Sequence, residues 1–313
     1  RYYRNGTFRN EESISSEGKN RASLSNQSDF SWTLDNLIYY DKEFGKHSVG
    51  LTLLQSATGY HYEESSMAAE GIPLESAKWN ALSKENVSLL DEWNSGLIEK
   101  QLLSYMFRVN YDYNNKYLLT VSGRWDGASQ LAEGNKWAFF PSAALGWRLD
   151  QEEFLKDVTW LNQLKFRLGV GVTGNSAIDP YQTKGAIVSL YYPFGSALAP
   201  GYAASEPLIK DGAVAMANKN LSWEKTTQYN IGLDYSVLNG RISGVLDFYT
   251  SRTTDLLMAM TIPSLNGYTN TYANVGKTSN IGVDITLNTV NVKTRDFEWS
   301  TSINAAWPVS YTH

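Results

Sequence analysis

The sequence contains no cysteine, which excludes a disulfide framework and a thiolate metal site. It has only three histidines, His47, His61 and His313, so little material is present for histidine-based catalysis or a metal centre. Neither a glycine-rich phosphate loop nor a Ser-His-Asp grouping is visible in the sequence. We therefore expect that the chain is not an enzyme and that it binds no metal and no other cofactor.

An excess of positive charge is also lacking, since 27 Lys and Arg against 32 Asp and Glu give a formal net charge of −5, and this argues against a nucleic-acid-binding protein. Two uncharged stretches, 185–205 and 256–276, have the length of a membrane span. The first contains Pro193 and Pro200, and the second is rich in Thr, Asn and Tyr, so we predict long loops rather than transmembrane helices. A starting methionine and a signal peptide are missing, and we expect a piece of a longer precursor.

Aromatic residues, by contrast, are abundant, with 20 Tyr, 10 Trp and 11 Phe. The segment 105–126 shows how they are arranged, because it predicts two strands joined by a turn at Asn114-Asn115-Lys116. Every second residue is apolar or aromatic, apart from one glycine, and these residues are Tyr105, Phe107, Val109, Tyr111 and Tyr113, then Tyr117, Leu119, Val121, Gly123 and Trp125. Alternating side chains point to opposite faces of a strand, so each arm has one apolar and one largely polar face.

The same alternation predicts ten strands in all, near residues 30–40, 49–53, 105–113, 117–126, 137–149, 164–173, 229–235, 242–248, 281–287 and 297–307. Residues 1–28 are predicted to be a loop, residues 60–101 a long polar segment with a short helix near Glu85–Trp93, and 150–162 a connection with a helical turn. Pro141 inside a predicted strand is typical of a sheet edge or a bulge. The predicted fold class is all-β and antiparallel.

Two regularities favour a transmembrane β-barrel over a soluble β-sandwich. Short turns near 41–45, 114–116, 150–162, 236–240 and 291–295 alternate with long loops near 60–101, 127–136, 174–225 and 251–279, as in outer-membrane barrels with short periplasmic turns and long external loops. No charged residue lies in the apolar register of a predicted strand. A charged side chain in contact with lipid raises the free energy of the folded barrel, whereas one in a water-filled lumen stays hydrated.

Four segments in order resemble the SusC/RagA family of TonB-dependent outer-membrane transporters of Bacteroidetes. They are RWDGASQLAEGNKWAFFPSAALGWRLDQEEFL (124–155), LKFRLGVGVTGNSAIDPY (164–181), NLSWEKTTQYNIGLDYSVLNGRISGVLDFYTSRTTDLL (220–257) and YANVGKTSNIGVDITL (272–287). The resemblance extends over roughly residues 29–307. Each strand motif alone is weak, but four motifs in the right order are specific.

The resemblance implies a 22-stranded barrel in the cell outer membrane with an N-terminal plug domain. It also implies a SusD-like surface lipoprotein as a lid, energy from TonB with ExbB and ExbD, and oligosaccharides or peptides as substrates. Residues 1–313 correspond to part of the barrel domain, and we expect the plug, the TonB box and about half of the barrel to lie outside this sequence. The ending PVSYTH (308–313) does not match the family's continuation after Trp307.

Charged residues of the polar register are candidates for a substrate path or for contacts with the plug, and they are Arg108, Arg124, Asp126, Lys165, Arg167 and Asp247. The alternative, which we favour for any single residue, is a hydrated wall of mutually paired charges. Asp234 and Asp247 lie on adjacent predicted strands, but nothing places a glycosidic bond between them.

Aromatic residues of the predicted loops are candidates for stacking on sugar rings, and they are Trp79, Trp93, Tyr191, Tyr192, Phe194, Tyr268 and Tyr272. Loop packing or contact with the lid lipoprotein is the alternative that we favour, because interfaces are also enriched in Tyr and Trp.

The leading functional hypothesis is a fragment of a nutrient importer. One alternative is an outer-membrane porin or adhesin without TonB coupling, which a missing plug domain in the full gene would indicate. Another is a secreted carbohydrate-binding or hydrolytic β-sandwich, which solubility of the full-length protein without detergent would indicate.

Overall fold

The structure is a computed structural model. It describes residues 1–14, 18–83, 89–184, 188–194, 197–203, 215–263, 268 and 270–312. Within 89–92, 188–194 and 197–203, and at residue 215, it describes the backbone only.

These residues form sixteen strands: β1 Tyr2–Arg9, β2 Arg21–Phe44, β3 His47–Glu70, β4 Leu89–Tyr113, β5 Tyr117–Ala128, β6 Trp137–Arg148, β7 Leu161–Asn175, β8 Val188–Phe194, β9 Ala197–Ala203, β10 Ala215–Met216, β11 Glu224–Val237, β12 Ile242–Thr254, β13 Leu257–Thr261, β14 Asn270–Asn274, β15 Lys277–Lys293 and β16 Glu298–Thr312. Three short 3-10 segments lie at Glu75–Asn80, Leu149–Gln151 and Glu153–Leu155. None of the helices in the described residues has the length and hydropathy needed to cross a membrane.

Eleven of the strands form one sheet in the order β1-β2-β3-β4-β5-β6-β7-β11-β12-β15-β16. The pairing is antiparallel in β1–β2, in β5–β6–β7 and from β7 through β11, β12 and β15 to β16. The remaining strands form a three-stranded sheet, β10-β14-β13, and a hairpin, β8-β9. The predicted all-β, antiparallel fold is therefore confirmed.

The chain divides into two compact units. The first unit consists of residues 1–34 and 57–102. It contains a small apolar cluster of Ala22, Ala69, Ile72 and Leu82, against which Phe8, Leu24 and Trp79 pack.

The second unit consists of residues 35–56 and 103–313, and it carries the candidate site. Its short turns lie at one end of the sheet, where backbone bonds link each turn to the next. Asn114 N donates to Lys46 O at 2.6 Å, Arg148 N to Lys116 O at 2.8 Å, and Leu238 N to Trp160 O at 2.7 Å. The predicted helical turn in 150–162 is confirmed by the two 3-10 segments there.

The prediction of a loop for residues 1–28 is wrong over Tyr2–Arg9 and over 21–28, which are strand, and β1 is the strand of the eleven-stranded sheet that the ten predicted ones omit. β1 pairs with the first part of β2 in continuous register from Tyr2–Ser28 to Arg9–Arg21. Cross-strand contacts are largely polar there, as in the hydrogen bond between the Thr7 and Ser23 hydroxyls at 2.5 Å. β1 has no continuous apolar face, because Arg4 and Gly6 separate Tyr2 from Phe8 on one side of the strand, so the sequence shows no clear alternation there.

The long polar segment predicted for 60–101 is also much shorter in the structure, because β3 continues to Glu70 and β4 begins at Leu89. The helix predicted near Glu85–Trp93 is wrong over Leu89–Trp93, which is strand, while 84–88 lie outside the described residues. In both extensions, charged or titratable side chains occupy the alternate positions that are apolar in the rest of the strand. His61, for example, pairs with Glu63 at 3.1 Å and with Glu99 at 2.9 Å.

The loops predicted at 174–225 and 251–279 contain short strands, β8 to β10 and β13 to β14. Pro141 lies in β6 opposite Gly123 of β5, while the pairing of β6 with β7 begins at Ser142. The proline therefore lies just beyond the end of that ladder, where its missing N–H costs no bond.

Candidate functional site: the polar face of the sheet

The second unit's sheet has two chemically different faces. One face, which we call the apolar face, carries the alternating apolar side chains, including Phe107, Leu119, Leu168, Ile231 and Ile281. These side chains are not buried: Phe107 and Leu119 are each 40% exposed. Charged side chains in the central parts of β5, β7, β11 and β12 have the opposite parity and lie on the other face, which we call the polar face; they are Arg124, Asp126, Lys165, Arg167, Asp234 and Asp247. The many exposed side chains of the apolar face require a non-aqueous environment or a covering partner.

Two belts of aromatic rings border the apolar face. At the short-turn end, Tyr117 stacks on Tyr113 at 6.3 Å and on Trp147 at 6.5 Å between ring centroids. At the long-loop end, Trp137 stacks on Tyr105 at 6.3 Å and meets Trp125 edge-on at 5.9 Å. We call the second group the long-loop belt. Two aromatic girdles flanking an apolar band are typical of a β-barrel that crosses a lipid bilayer.

On the polar face, Arg167 of β7 forms the centre of an ion-pair network. Its guanidinium lies 2.8 Å from a carboxylate oxygen of Asp234 on β11 and 2.9 Å from one of Asp247 on β12. Arg167 and Asp247 were predicted as site residues, and the structure brings them together. Asp234 is the third member, so the two adjacent carboxylates share a cation rather than a substrate bond.

Gly232 makes this network possible, because it lies between Arg167 and Asp247 in the strand register. A Cβ on Gly232 would lie 2.4 Å from Asp247 Oδ1 and 2.6 Å from Arg167 Nη2. The missing side chain gives the arginine room to cross β11 and reach β12. Arg167, Gly232 and Asp247 are directly opposite one another on neighbouring strands, and Asp284 of β15 lies opposite Asp247 on the next strand. Asp284 therefore adds a further carboxylate to this row across the sheet.

Arg124 and Asp126 form a second pair, two residues apart on β5. Arg124 Nε donates to both carboxylate oxygens of Asp126 at 2.7 and 2.9 Å, and Nη2 donates to the hydroxyl of Ser104 on β4 at 2.8 Å. Asp126 and Ser104 are buried. These two predicted residues are therefore brought together as a pair, with a serine that the sequence pattern did not single out.

The other two predicted charges of the polar face are Arg108 and Lys165. Arg108 on β4 is exposed. Lys165 on β7 lies in register between Arg148 of β6 and Asp234 of β11. Lys165 and Arg167 line a shallow groove of about 720 Å3 on this face, together with neutral donors and acceptors such as Asn110, Gln228 and Asn230.

A second polar cluster lies at the short-turn end, around Glu152 in the connection between β6 and β7. Its carboxylate accepts hydrogen bonds from Trp147 Nε1 at 2.9 Å, Tyr117 Oη at 2.7 Å and Lys116 Nζ at 3.0 Å. These bonds, that from Trp147 first, lower the pKa of Glu152 from 4.5 to about 2. Glu152 thus ties two belt rings and the turn at Lys116 to the β6–β7 connection.

At the long-loop end, hydrogen bonds and packing join three connections. Trp223 is buried against Phe140, with ring centroids 5.2 Å apart, and its Nε1 donates to Lys136 O at 2.8 Å. The Asn274 amide exchanges two bonds with the backbone of Ser222, at 2.8 and 2.9 Å. The motif NLSWEK (220–225) therefore anchors the loops.

The aromatic candidates of the loops are not brought together. Trp79 packs against the apolar cluster of the first unit, whereas Trp93 is 80% exposed. Tyr268 and Tyr272 are half-buried, and Asn218 Nδ2 donates to the Tyr272 carbonyl at 2.8 Å. The remaining three candidates, Tyr191, Tyr192 and Phe194, lie on β8, and their side chains are outside the described residues. Sugar binding by these residues stays a prediction.

Glu152, Ser104 and Gly232 are the main site residues that sequence reasoning missed. Glu152 lies in an irregular connection, where no alternation marks a residue. Ser104 precedes the predicted start of its strand, and a glycine shows no chemistry of its own. In the described part of the chain, no group of three or more His, Asp and Glu residues is arranged to hold a metal ion.

The whole chain, residues 1–313, matches the family model described as TonB dependent receptor-like, beta-barrel. The chain belongs to the TonB-dependent receptor family. Its antiparallel sheet is part of the family's β-barrel, and the protein is an outer-membrane protein. The apolar face between the two aromatic belts is accordingly the face toward lipid, and the polar face is the face toward the lumen. This outcome agrees with the expectation that the chain is not an enzyme.

Curated relatives come from two Bacteroidetes. The chain is 39% identical to the TonB-dependent receptor SusC of Bacteroides thetaiotaomicron over 240 residues, which is 73% of this chain and 22% of SusC. It is 34% identical to the TonB-dependent receptor P26 of Formosa agariphila over 276 residues, which is 87% of this chain and 27% of that protein. The chain thus spans about a quarter of the length of these relatives. The predicted SusC/RagA resemblance is confirmed.

Among solved structures, the RagAB peptide transporter matches 99% of this chain and 33% of its own, with a TM-score of 0.86 and 24% identity. The ferric citrate transporter FecA in its unliganded form matches 93% of this chain and 37% of its own, with a TM-score of 0.53 and 8% identity. At such identities these two matches establish the fold alone.

Proposed function

We propose that the protein to which this chain belongs imports oligosaccharides or peptides across the outer membrane, with energy from TonB. The observation that carries the proposal is the 39% identity to the receptor SusC over 240 residues, which is 73% of this chain. Because the chain spans only about a quarter of its relatives, transport is proposed for the full-length receptor.

The chemistry of the polar face supports a path for a hydrophilic solute. Amides and hydroxyls line the groove, as with Asn110, Thr120 and Asn230, and such groups exchange hydrogen bonds with sugar hydroxyls or peptide groups. Charged side chains of the polar face form ion pairs with one another, as Arg167 does with Asp234 and Asp247. A paired charge holds a passing solute less tightly than a free one, so the wall favours passage over retention.

The partners follow from the same proposal. A SusD-like surface lipoprotein acts as the lid over the long-loop end, and TonB with ExbB and ExbD drives transport through a plug domain. The solved structure named RagAB peptide transporter supports peptides as substrates. Oligosaccharides as substrates are supported only by the family resemblance, since the name of the relative SusC mentions no substrate. Both substrate classes therefore enter the test.

The experiment is an in-frame deletion of the complete gene, followed by growth on a panel of single oligosaccharides and of peptides. We expect growth to be lost on one class of substrate and restored by the intact gene. A copy that lacks only its TonB box is the matched control, and it should fail to restore growth although the protein reaches the outer membrane in normal amount.

The outcomes separate the alternatives. Full restoration by the copy without a TonB box indicates a passive porin. Unchanged growth on every substrate, together with lost attachment to host surfaces, indicates an adhesin. Either result contradicts the proposal.

A further inference from the structure

The apolar face contains a groove of about 440 Å3 on the strands β2 to β6, within the second unit. Ile38, Leu53, Phe107 and Phe139 form its walls, and Gly123 lies between the two phenyl rings. A Cβ on Gly123 would approach both rings to 2.6 Å. The described residues that line the groove include no charged side chain. The groove is therefore a recess in the lipid-facing surface, and only an uncharged, apolar occupant fits its walls.

The long-loop end of the groove has a different chemistry. Asn36 and Gln55 line it there, and Asn36 Nδ2 donates to Gln55 Oε1 at 2.6 Å. Both side chains occupy the apolar register of their strands, two residues from Ile38 and Leu53 respectively. Tyr105 and Trp125 of the long-loop belt line the same end. We call the whole recess the amide-capped groove.

The amide pair is not satisfied by its single mutual bond. A primary amide offers two N–H donors and a carbonyl acceptor, and in the described part of the chain the Asn36 carbonyl and the Gln55 amino group have no further partner. A polar group at the edge of a hydrocarbon layer gains strongly from a hydrogen bond, because apolar surroundings supply none. Interfacial Tyr and Trp mark this level as that of the lipid backbone rather than the hydrocarbon centre.

We propose that the amide-capped groove binds one acyl chain of lipid A, with the carbonyl group that links the chain to the sugar at Asn36 and Gln55. The groove is continuous with the lipid-facing surface, which identifies the occupant as a membrane lipid. Its amide end lies toward the long loops, which face the cell exterior in outer-membrane barrels. Lipid A belongs to that external leaflet, and its chains are attached through amide and ester carbonyls, which match the free amide groups.

Occupancy by lipid A does not depend on the transported substrate, so this inference stands apart from the proposed import. The test uses the full-length receptor in detergent, stripped of lipid by detergent exchange and then incubated with synthetic lipid A. Native mass spectrometry counts the molecules that remain bound. We expect one retained lipid A per receptor in the wild type.

The first variant is Leu53→Trp, which fills the groove, and its control is Leu246→Trp. Both leucines are on the apolar face with nearly equal exposure, 39% and 40%, but only Leu53 lines the groove. We expect at least a fivefold loss of retained lipid A with Leu53→Trp and none with the control. Equal loss in both variants, or no saturable retention in the wild type, overturns the proposal.

The second variant, Asn36→Leu, tests the amide end and leaves the groove open, so it covers the case in which Leu53→Trp fails to fold. Its control is Asn304→Leu, since Asn304 bonds Thr286 at 3.0 Å outside the groove. Retention should fall at least threefold with Asn36→Leu alone. Unchanged retention would contradict a role for the amides. Heat-induced mobility shift on gels confirms that each variant has a folded barrel.

Discussion

At the scale of single residues, the arrangement on the polar face depends on a position without a side chain. Arg167 reaches two carboxylates on two different strands only because Gly232 leaves the space between them open. The glycine is in ordinary extended backbone, so its role is steric and not conformational. Neighbouring glycines of the same face differ: a Cβ on Gly169 would have Asn230 Cβ, at 3.9 Å, as its nearest contact.

This contrast gives the first prediction, Gly232→Val. The new side chain displaces Arg167 from Asp247, and overpacking of this kind costs about 1–3 kcal/mol. Urea unfolding of the full-length receptor in lipid vesicles should show that loss of stability. Gly169→Val on the same face is the control and should stay close to the wild type. Equal stability of the two variants would contradict the steric role of Gly232.

Glu152 is the second residue whose effect follows directly from its contacts. Its pKa is lowered to about 2 by hydrogen bonds from Trp147, Tyr117 and Lys116, whereas the ordinary value is 4.5. Because the folded state holds the ionised form, Glu152 contributes stability that is fully present above pH 4.5. That contribution is lost as the pH falls through about 2.

We therefore predict that Glu152→Gln makes stability less dependent on pH between about 4.5 and 2. The measurement is the thermal unfolding midpoint of the receptor across this interval. Glu153→Gln is the control, because Glu153 is 91% exposed and its nearest cation, Lys156, lies 3.9 Å away. The idea fails if Glu152→Gln follows the wild-type pH curve throughout.

At the scale of elements, the strands are longer than an apolar pattern reveals. β2, β3 and β4 have 24, 24 and 25 residues, while a membrane-spanning strand needs only about 9–11. Periodicity marks the part of each strand that lies against lipid, since only there must one face be apolar. In the β1–β2 pairing and in the far half of β3, polar contacts such as Thr7–Ser23 and His61–Glu99 interrupt the apolar alternation, so the sequence pattern underestimates these strand parts.

The connections at the long-loop end behave as one layer, anchored by Trp223. Truncating a buried tryptophan typically costs about 3–5 kcal/mol, and Trp223→Ala also removes the indole N–H that donates to Lys136 O. We predict faster tryptic cleavage after Lys136 in whole cells. Trp160→Ala, an exposed tryptophan near the other end of β7, should leave the cleavage rate unchanged. Cleavage at the wild-type rate in Trp223→Ala would show that the layer does not depend on this side chain.

At the scale of the whole molecule, the decisive property is that the apolar face of the sheet contacts lipid and the polar face contacts water in the lumen. Adjacent residues of β12 test it: Leu246 is on the apolar face and Val245 is on the polar face, opposite Asp234. An arginine facing lipid near the membrane midplane costs roughly 2–4 kcal/mol, while a lumenal arginine stays hydrated.

We predict that Leu246→Arg lowers the folding stability of the receptor by this amount, measured by denaturant titration in vesicles. Val245→Arg, which introduces the same charge one residue away, should have a small effect or even a favourable one beside Asp234. Equal effects of the two substitutions would mean that the faces do not differ in environment.

The sequence by itself determined which face of each membrane strand is apolar, the alternation of short and long connections, and the family. It could do so because contact with lipid forces a strict two-residue period on side chains such as Phe107, Leu119 and Ile231. Only the tertiary structure decided which lumenal charges meet. The pairing of Arg167 with Asp234 and Asp247 depends on the register of three strands and on the space above Gly232. The short turn between β11 and β12 fixes their register locally, but the register of β7 against β11 joins segments that are far apart in the sequence, and no local pattern encodes it.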